Sequence, residues 1–168
     1  MSTKNVFIAS LAICTLFLAI GCDRMDNQTI DEINEVGDAI GKIGDTVIGA
    51  TPDALGTDAF VINATTIEAD TLRVNVSYTG GCETHAFTLV AEPRFLESFP
   101  VQVHVSLAHN ANGDTCQDSI TEDYQFDLTP IKTVYQKGYR TDTGTIVLRL
   151  KGAPSGELAY EFYSKNRK

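Results

Sequence analysis

Apolar and polar residues follow three different rhythms along this chain. From Val6 to Ile20 the residues are apolar almost without interruption, with Ser10 and Thr15 as the exceptions and Lys4 ahead of them. That run is shorter than the roughly 20 residues a membrane-crossing helix needs. It reads as the apolar core of a secretory signal peptide over residues 1–21. A three-four rhythm follows: Ile30, Ile33, Gly37, Ile40, Gly44 and Val47 form one stripe, opposed by Asp31, Glu32, Glu35, Asp38, Lys42 and Asp45. Asp31, Glu32 and Glu35 suit the positive end of a helix. Four glycines, Gly37, Gly41, Gly44 and Gly49, each cost a helix about 1 kcal/mol relative to alanine. Residues 22–57 are therefore expected to form an acidic neck, either a marginal amphipathic helix or a semi-ordered tether.

From Phe60 onward the period becomes two. Leu72, Val74, Val76 and Tyr78 alternate with polar residues, and so do Phe99, Val101, Val103, Val105 and Leu107. Gly80-Gly81 predicts a hairpin turn into a return strand over residues 82–92, and Asn110-Ala111-Asn112-Gly113-Asp114 predicts a second turn. Ile120, Tyr124, Phe126 and Leu128 mark a further strand. Thr129-Pro130 predicts the start of a short helix that stops at Gly138. Residues 145–151 and 158–163 predict two closing strands around the break Gly152-Ala153-Pro154-Ser155-Gly156. Six or seven strands and one helix over residues 58–168 point to a mainly β domain. The expectation is a compact antiparallel β-sandwich or partly closed barrel.

Charge narrows the partners. The chain carries a formal net charge of −9, and loss of residues 1–21 removes only Lys4, leaving −10. Such a surface repels phosphate backbones, which argues against nucleic acid. The basic end Lys165-Asn166-Arg167-Lys168 reads as a solvated tail. About 145 residues are enough for one domain with a real core.

The four cysteines divide into two kinds. Cys14 lies inside the signal segment. Gly21-Cys22, directly behind the apolar run, resembles the lipobox of bacterial lipoproteins, with Ala19 where that class prefers Leu and Leu18 one residue early. The resemblance implies cleavage before Cys22, a thioether to diacylglycerol and an acyl group such as palmitate on the new amino terminus. Membrane anchoring in the bacterial cell envelope follows from it. A plain secretory signal and a transmembrane anchor are the alternatives. Asp23 after Cys22 resembles an inner-membrane retention signal, but Arg24 follows it and the choice of membrane stays open.

Cys82 and Cys116 remain as an even pair in an exported chain, where a disulfide is the default. Closing that loop of about 35 residues stabilises the fold by roughly 4 kcal/mol on chain entropy alone. The competing reading is a metal or sensing site of Cys82, His85, His109 and Cys116, a ligand set zinc accepts. The spacing argues against it, because Cys82 and His85 face apart in a regular strand. Asn110 to Asp114 lacks the terminal Glu of a calcium loop. Glu122 and Asp123 face apart, and His104 shares a polar face with Gln102 and Ser106. No nucleophile elbow, phosphate loop, dinucleotide fingerprint or zinc-protease motif is present. The expectation is no enzyme, no cofactor and no resident metal.

The segments Tyr78-Thr79-Gly80-Gly81-Cys82-Glu83-Thr84-His85-Ala86-Phe87 and His109 to Cys116 resemble a group of uncharacterised exported lipoproteins. That group carries a Gly-Gly-Cys-x-x-His turn and an Ala-Asn-Gly-Asp-x-Cys turn. The resemblance spans residues 70–150 and implies no activity. The sequence thus reads as an anchored envelope lipoprotein acting as a binding or structural module, with an envelope protein or small ligand as partner. A cryptic envelope hydrolase is the remaining alternative.

Overall fold

The structure is a computed structural model that describes residues 41–155 and 157–163. The expected signal segment 1–21, Cys22, Asp23, the apolar stripe up to Ile40 and the basic tail lie outside the described residues. Eight strands form one sheet: β1 (Lys42–Ile48), β2 (Val61–Glu68), β3 (Thr71–Gly80), β4 (Ala86–Ala91), β5 (Val101–Asn110), β6 (Asp118–Asp127), β7 (Gly144–Leu150) and β8 (Leu158–Phe162). Among the described residues a single 3₁₀ turn covers Pro52–Ala54, and one helix, α1, covers Thr129–Tyr139. The strand order is β2-β3-β6-β1-β4-β5-β7-β8. The edge strands β2 and β8 come into contact, so the sheet curls into a nearly closed barrel. Thr65 on β2 and Ser155 before β8 meet across that seam, their hydroxyls 3.4 Å apart.

The mainly β, partly closed architecture with one helix is the one expected. The neck boundary at residue 57 is not. Residues 42–48 are strand β1, seated in the middle of the sheet, parallel to β6 through Lys42–Gly44 and parallel to β4 through Asp45–Ile48. The physical reason lies in Gly44. A Cβ there would stand 2.7 Å from the Phe87 carbonyl oxygen and closer still to the Phe126 ring. The glycine that weakens a helix is what lets β1 lie against two aromatic residues. Gly49, at φ 75°, ends the strand, and its N–H donates to Ala91 O. With β1 inserted, the sheet is mixed: β5 and β7 are also parallel.

The two expected hairpins are absent. β3 pairs with β2 and β6, whereas β4 pairs with β1 and β5. The Gly80-Gly81 and Asn110–Asp114 segments therefore each cross from one half of the sheet to the other. Gly80 is needed for close approach: a Cβ on it would sit 2.5 Å from His85 Nε2 and 2.9 Å from an Asp114 oxygen.

The alternating residues fill the interior. Leu72, Val74, Val76 and Tyr78 of β3 are buried with Phe87 and Leu89, with Val103, Val105 and Leu107, with Tyr124 and Phe126, and with Tyr160 and Phe162. Phe99 is the exception to its predicted strand; β5 starts at Val101 and the Phe99 ring is fully exposed. Helix α1 closes one end of the barrel. Asp127 Oδ1 accepts from Thr129 N–H at 2.8 Å, which satisfies a free donor at the helix start. The helix runs past Gly138 and stops at Arg140, in the left-handed region at φ 54°.

Candidate functional site

The end of the barrel opposite α1 is built from the two crossing loops. Cys82, just after β3, and Cys116, just before β6, are joined by a disulfide. β3 and β6 are antiparallel neighbours with Gly80 opposite Asp118, so the bridge staples the ends of an existing pair. With both sulfurs bonded to each other, the Cys82, His85, His109, Cys116 metal set does not assemble. The cysteine sulfurs and the Asp114 carboxylate do lie within 4.8 Å of one another. Neither sulfur is free to ligate, and the Asp114 oxygens are already engaged.

Asp114 organises both loops. Its Oδ2 accepts from the backbone N–H groups of Gly81, Cys82 and Glu83 at 2.8, 3.0 and 3.1 Å, and its Oδ1 accepts from Cys116 N–H at 2.8 Å. The backbone donors of Cys116 and Glu83 in particular, with His85 and Cys82 besides, hold this carboxyl well below the usual carboxylate range. His85 Nε2 lies 3.1 Å from the same oxygen, and the two side chains are shut off from solvent. His85 Nδ1 in turn lies 2.8 Å from His109 Nε2, and His109 Nδ1 reaches Asp58 O at 3.2 Å. Burial, set against its hydrogen bond to Asp58, pushes His109 below the ordinary imidazole value. The two histidines thus meet as the inner half of the predicted ligand set, but on each other rather than on the cysteines.

A second polar group adjoins them inside the barrel. Tyr78 stacks on His85 with ring centres 4.3 Å apart, and its hydroxyl donates to Glu122 Oε2 at 2.7 Å. Glu122 points inward and Asp123 outward, as expected of adjacent strand residues. Lys42 of β1 donates to Glu122 Oε1 at 2.5 Å. Burial works against the charged form of Glu122, but Lys42 and Tyr78 outweigh it and leave the carboxyl below its usual value. Burial and the same carboxylate raise Tyr78 and push Tyr124 up to about 12. Asp58, Tyr78 and Lys42 were not legible as site residues. Their signal is a hydrogen-bond partner 44 to 80 positions away, and no local motif encodes it.

The outer face offers open space. The segment Gly49–Asp58 runs as a strap across β5, tied down by a parallel bridge from Thr57 to His109. It leaves two adjoining hollows of about 470 and 670 Å³, which share Pro52, Ser106 and Lys151. His104, predicted as a solvated histidine, is exposed and lines the larger one with Arg149 and Glu92.

No family model matches the chain, and no curated protein does. Solved structures with a similar course do exist. One is a NigD-like immunity protein of Bacteroides caccae, at 19% identity and TM-score 0.49, matched over 72% of this chain and 59% of that one. Another is a protein of unknown function from Bacteroides vulgatus, at 17% identity and TM-score 0.44, matched over 76% and 59%. A third is a Bacteroides fragilis protein named "Putative lipoprotein", at 14% identity and TM-score 0.44, matched over 76% and 73%. The chain spans about three fifths of the first two. At these identities the likeness concerns the course of the chain and nothing more.

Proposed function

We propose that this chain is a lipid-anchored bacterial envelope lipoprotein whose barrel is a binding module, with its ligand surface around the strap Gly49–Asp58. The lipobox-like Gly21-Cys22 supports the anchor. Each buried CH₂ of an acyl chain adds about 0.8 kcal/mol, so two or three chains hold a protein essentially permanently. The observation that carries the binding role is the pair of adjoining hollows, about 470 and 670 Å³, which falls in the size range of small-ligand sites. Phe60, Ile62, Val90 and Leu107 give them apolar walls, and Arg149 and Lys151 give them cationic groups.

A catalytic role finds less support. Asp114, His85 and His109 form a line of acid and imidazoles, but His109 occupies the ring nitrogen through which His85 would activate a nucleophile. The polar groups at that end satisfy one another instead of converging on open space. We therefore assign it a structural task.

The test is photo-crosslinking in intact envelopes, with a photoreactive residue at Lys151, which lines both hollows. A discrete adduct at Lys151, absent when the probe sits at Thr121 on the far face, is the expected outcome. Equal labelling from both positions, or none from Lys151, would remove the strap as the ligand surface.

A further inference from the structure

The line Asp114, His85, His109, Asp58 has a proton count that two neutral imidazoles cannot meet. At one end, Asp114 is a carboxylate already accepting four backbone N–H groups, so His85 Nε2 must carry a hydrogen and donate to it. At the other end, the Asp58 carbonyl is an acceptor only, so His109 Nδ1 must carry a hydrogen as well. A neutral imidazole has one N–H. Both would then be spent outward, leaving two lone pairs facing each other across the 2.8 Å between His85 Nδ1 and His109 Nε2. The two rings are 4% and 1% exposed, so water cannot supply the missing hydrogen.

We infer that His85 and His109 hold one extra proton between them as a buried imidazolium–imidazole pair, neutralised by Asp114, which acts as a pH-sensitive clasp on the disulfide end and the strap. The doubly protonated ring is His85, donating to Asp114 and to His109, with His109 as the neutral acceptor. The surroundings fit a cation there. Tyr78 stacks on His85 at 4.3 Å, a cation–π arrangement, and Glu122 sits behind the Tyr78 hydroxyl with Lys42 as its own partner. Phe87 and Phe60 face His109 and bring no charge. Asp58 anchors the strap to the clasp twice more: its N–H donates to His109 O at 3.0 Å, and its carboxylate accepts from Ala111 N–H at 2.7 Å. The inference holds whether or not the hollows take a ligand.

The sign of the pH dependence follows from counting protons. The folded pair binds one. Two unfolded histidines, each with a pKa of about 6.5, together bind one proton near pH 6.5, fewer above and up to two below. The clasp's contribution to stability is therefore greatest near pH 6.5 and falls on both sides, by up to about tenfold in the unfolding equilibrium per pH unit. The experiment uses the full chain in detergent with ¹⁵N-labelled histidine, which gives only three side-chain spin systems. The expected spectrum at pH 6.5 has one buried ring protonated on both nitrogens and a second protonated on Nδ1 alone. Two neutral buried rings would overturn the inference. Unfolding measured from pH 5.5 to 8 supplies the second arm. A maximum near pH 6.5 that disappears in His109→Gln, which takes one imidazole out of the proton count, supports the clasp. The same profile in wild type and variant would contradict it.

Discussion

The two ends of the barrel are closed by opposite means. At the disulfide end, polar side chains are buried and each one is held by a named partner: Asp114 by four backbone N–H groups, His85 by His109, Glu122 by Lys42 and Tyr78. At the helix end the closure is aromatic. Tyr135 of α1 meets Phe95, Tyr139 and Phe162 with ring centres 4.6 to 5.8 Å apart, and Gly144 leaves room for its ring. An ion pair sits beside it, where Asp70 accepts from Lys132 and also from Tyr160. The first kind of closure is directional and depends on pH and redox state. The second is non-directional, tolerates solvent at its rim, and leaves Leu96 and Phe99 exposed.

The largest effect that separates the ends is redox. Replacing Cys82 and Cys116 by Ser is expected to lower stability by about 4 kcal/mol, read as a shift in urea midpoint, with reductant doing the same to the wild type. A reductant-insensitive midpoint would show that the staple is not closed. At the helix end, Tyr135→Ala is expected to cost about 3 kcal/mol through the lost ring packing. Its loss should be unchanged by reductant and between pH 5 and 8, since no partner of that ring titrates in the comparison. A pH-dependent loss would mean the two ends are not independent. The smallest effect is at Glu122. Its folded value is depressed, so its contribution is present above the ordinary carboxylate range near 4.3 and is lost as pH falls through the lower folded value. Glu122→Gln is expected to cost about 1 kcal/mol at pH 7 and progressively less on acidification below pH 4, as measured by denaturant unfolding. A loss that stays constant with pH would assign Glu122 a packing role alone.

The parts of this fold that were legible in the sequence are those whose signal is local. Strict alternation marked the interior residues of β3 and β5, and Thr129-Pro130 marked the entry to α1. Strand pairing was not legible. Gly80-Gly81 is a hairpin signal on composition, yet its glycine serves the approach of His85 and Asp114, and that need arises only when two distant loops meet. The same ambiguity hid β1. Glycines three and four apart suit a helix stripe, but Gly44 with β-branched Ile43, Val47 and Ile48 equally suits a strand crossing an aromatic pair. Of the site, the cysteine pair could be read from compartment and count. The joining of His85 to His109 could not, because Asp114 and Asp58, which orient them, look like ordinary turn residues.

The most direct test of the account is the intact mass of the protein purified from membranes, followed by mapping of its amino-terminal peptide. The expected chain begins at Cys22, carries diacylglycerol and an added acyl group there, and is lighter by the two hydrogens that the Cys82–Cys116 bond removes. An uncleaved chain starting at Met1, or a soluble chain with an unmodified Cys22, would contradict the anchored lipoprotein at the centre of it.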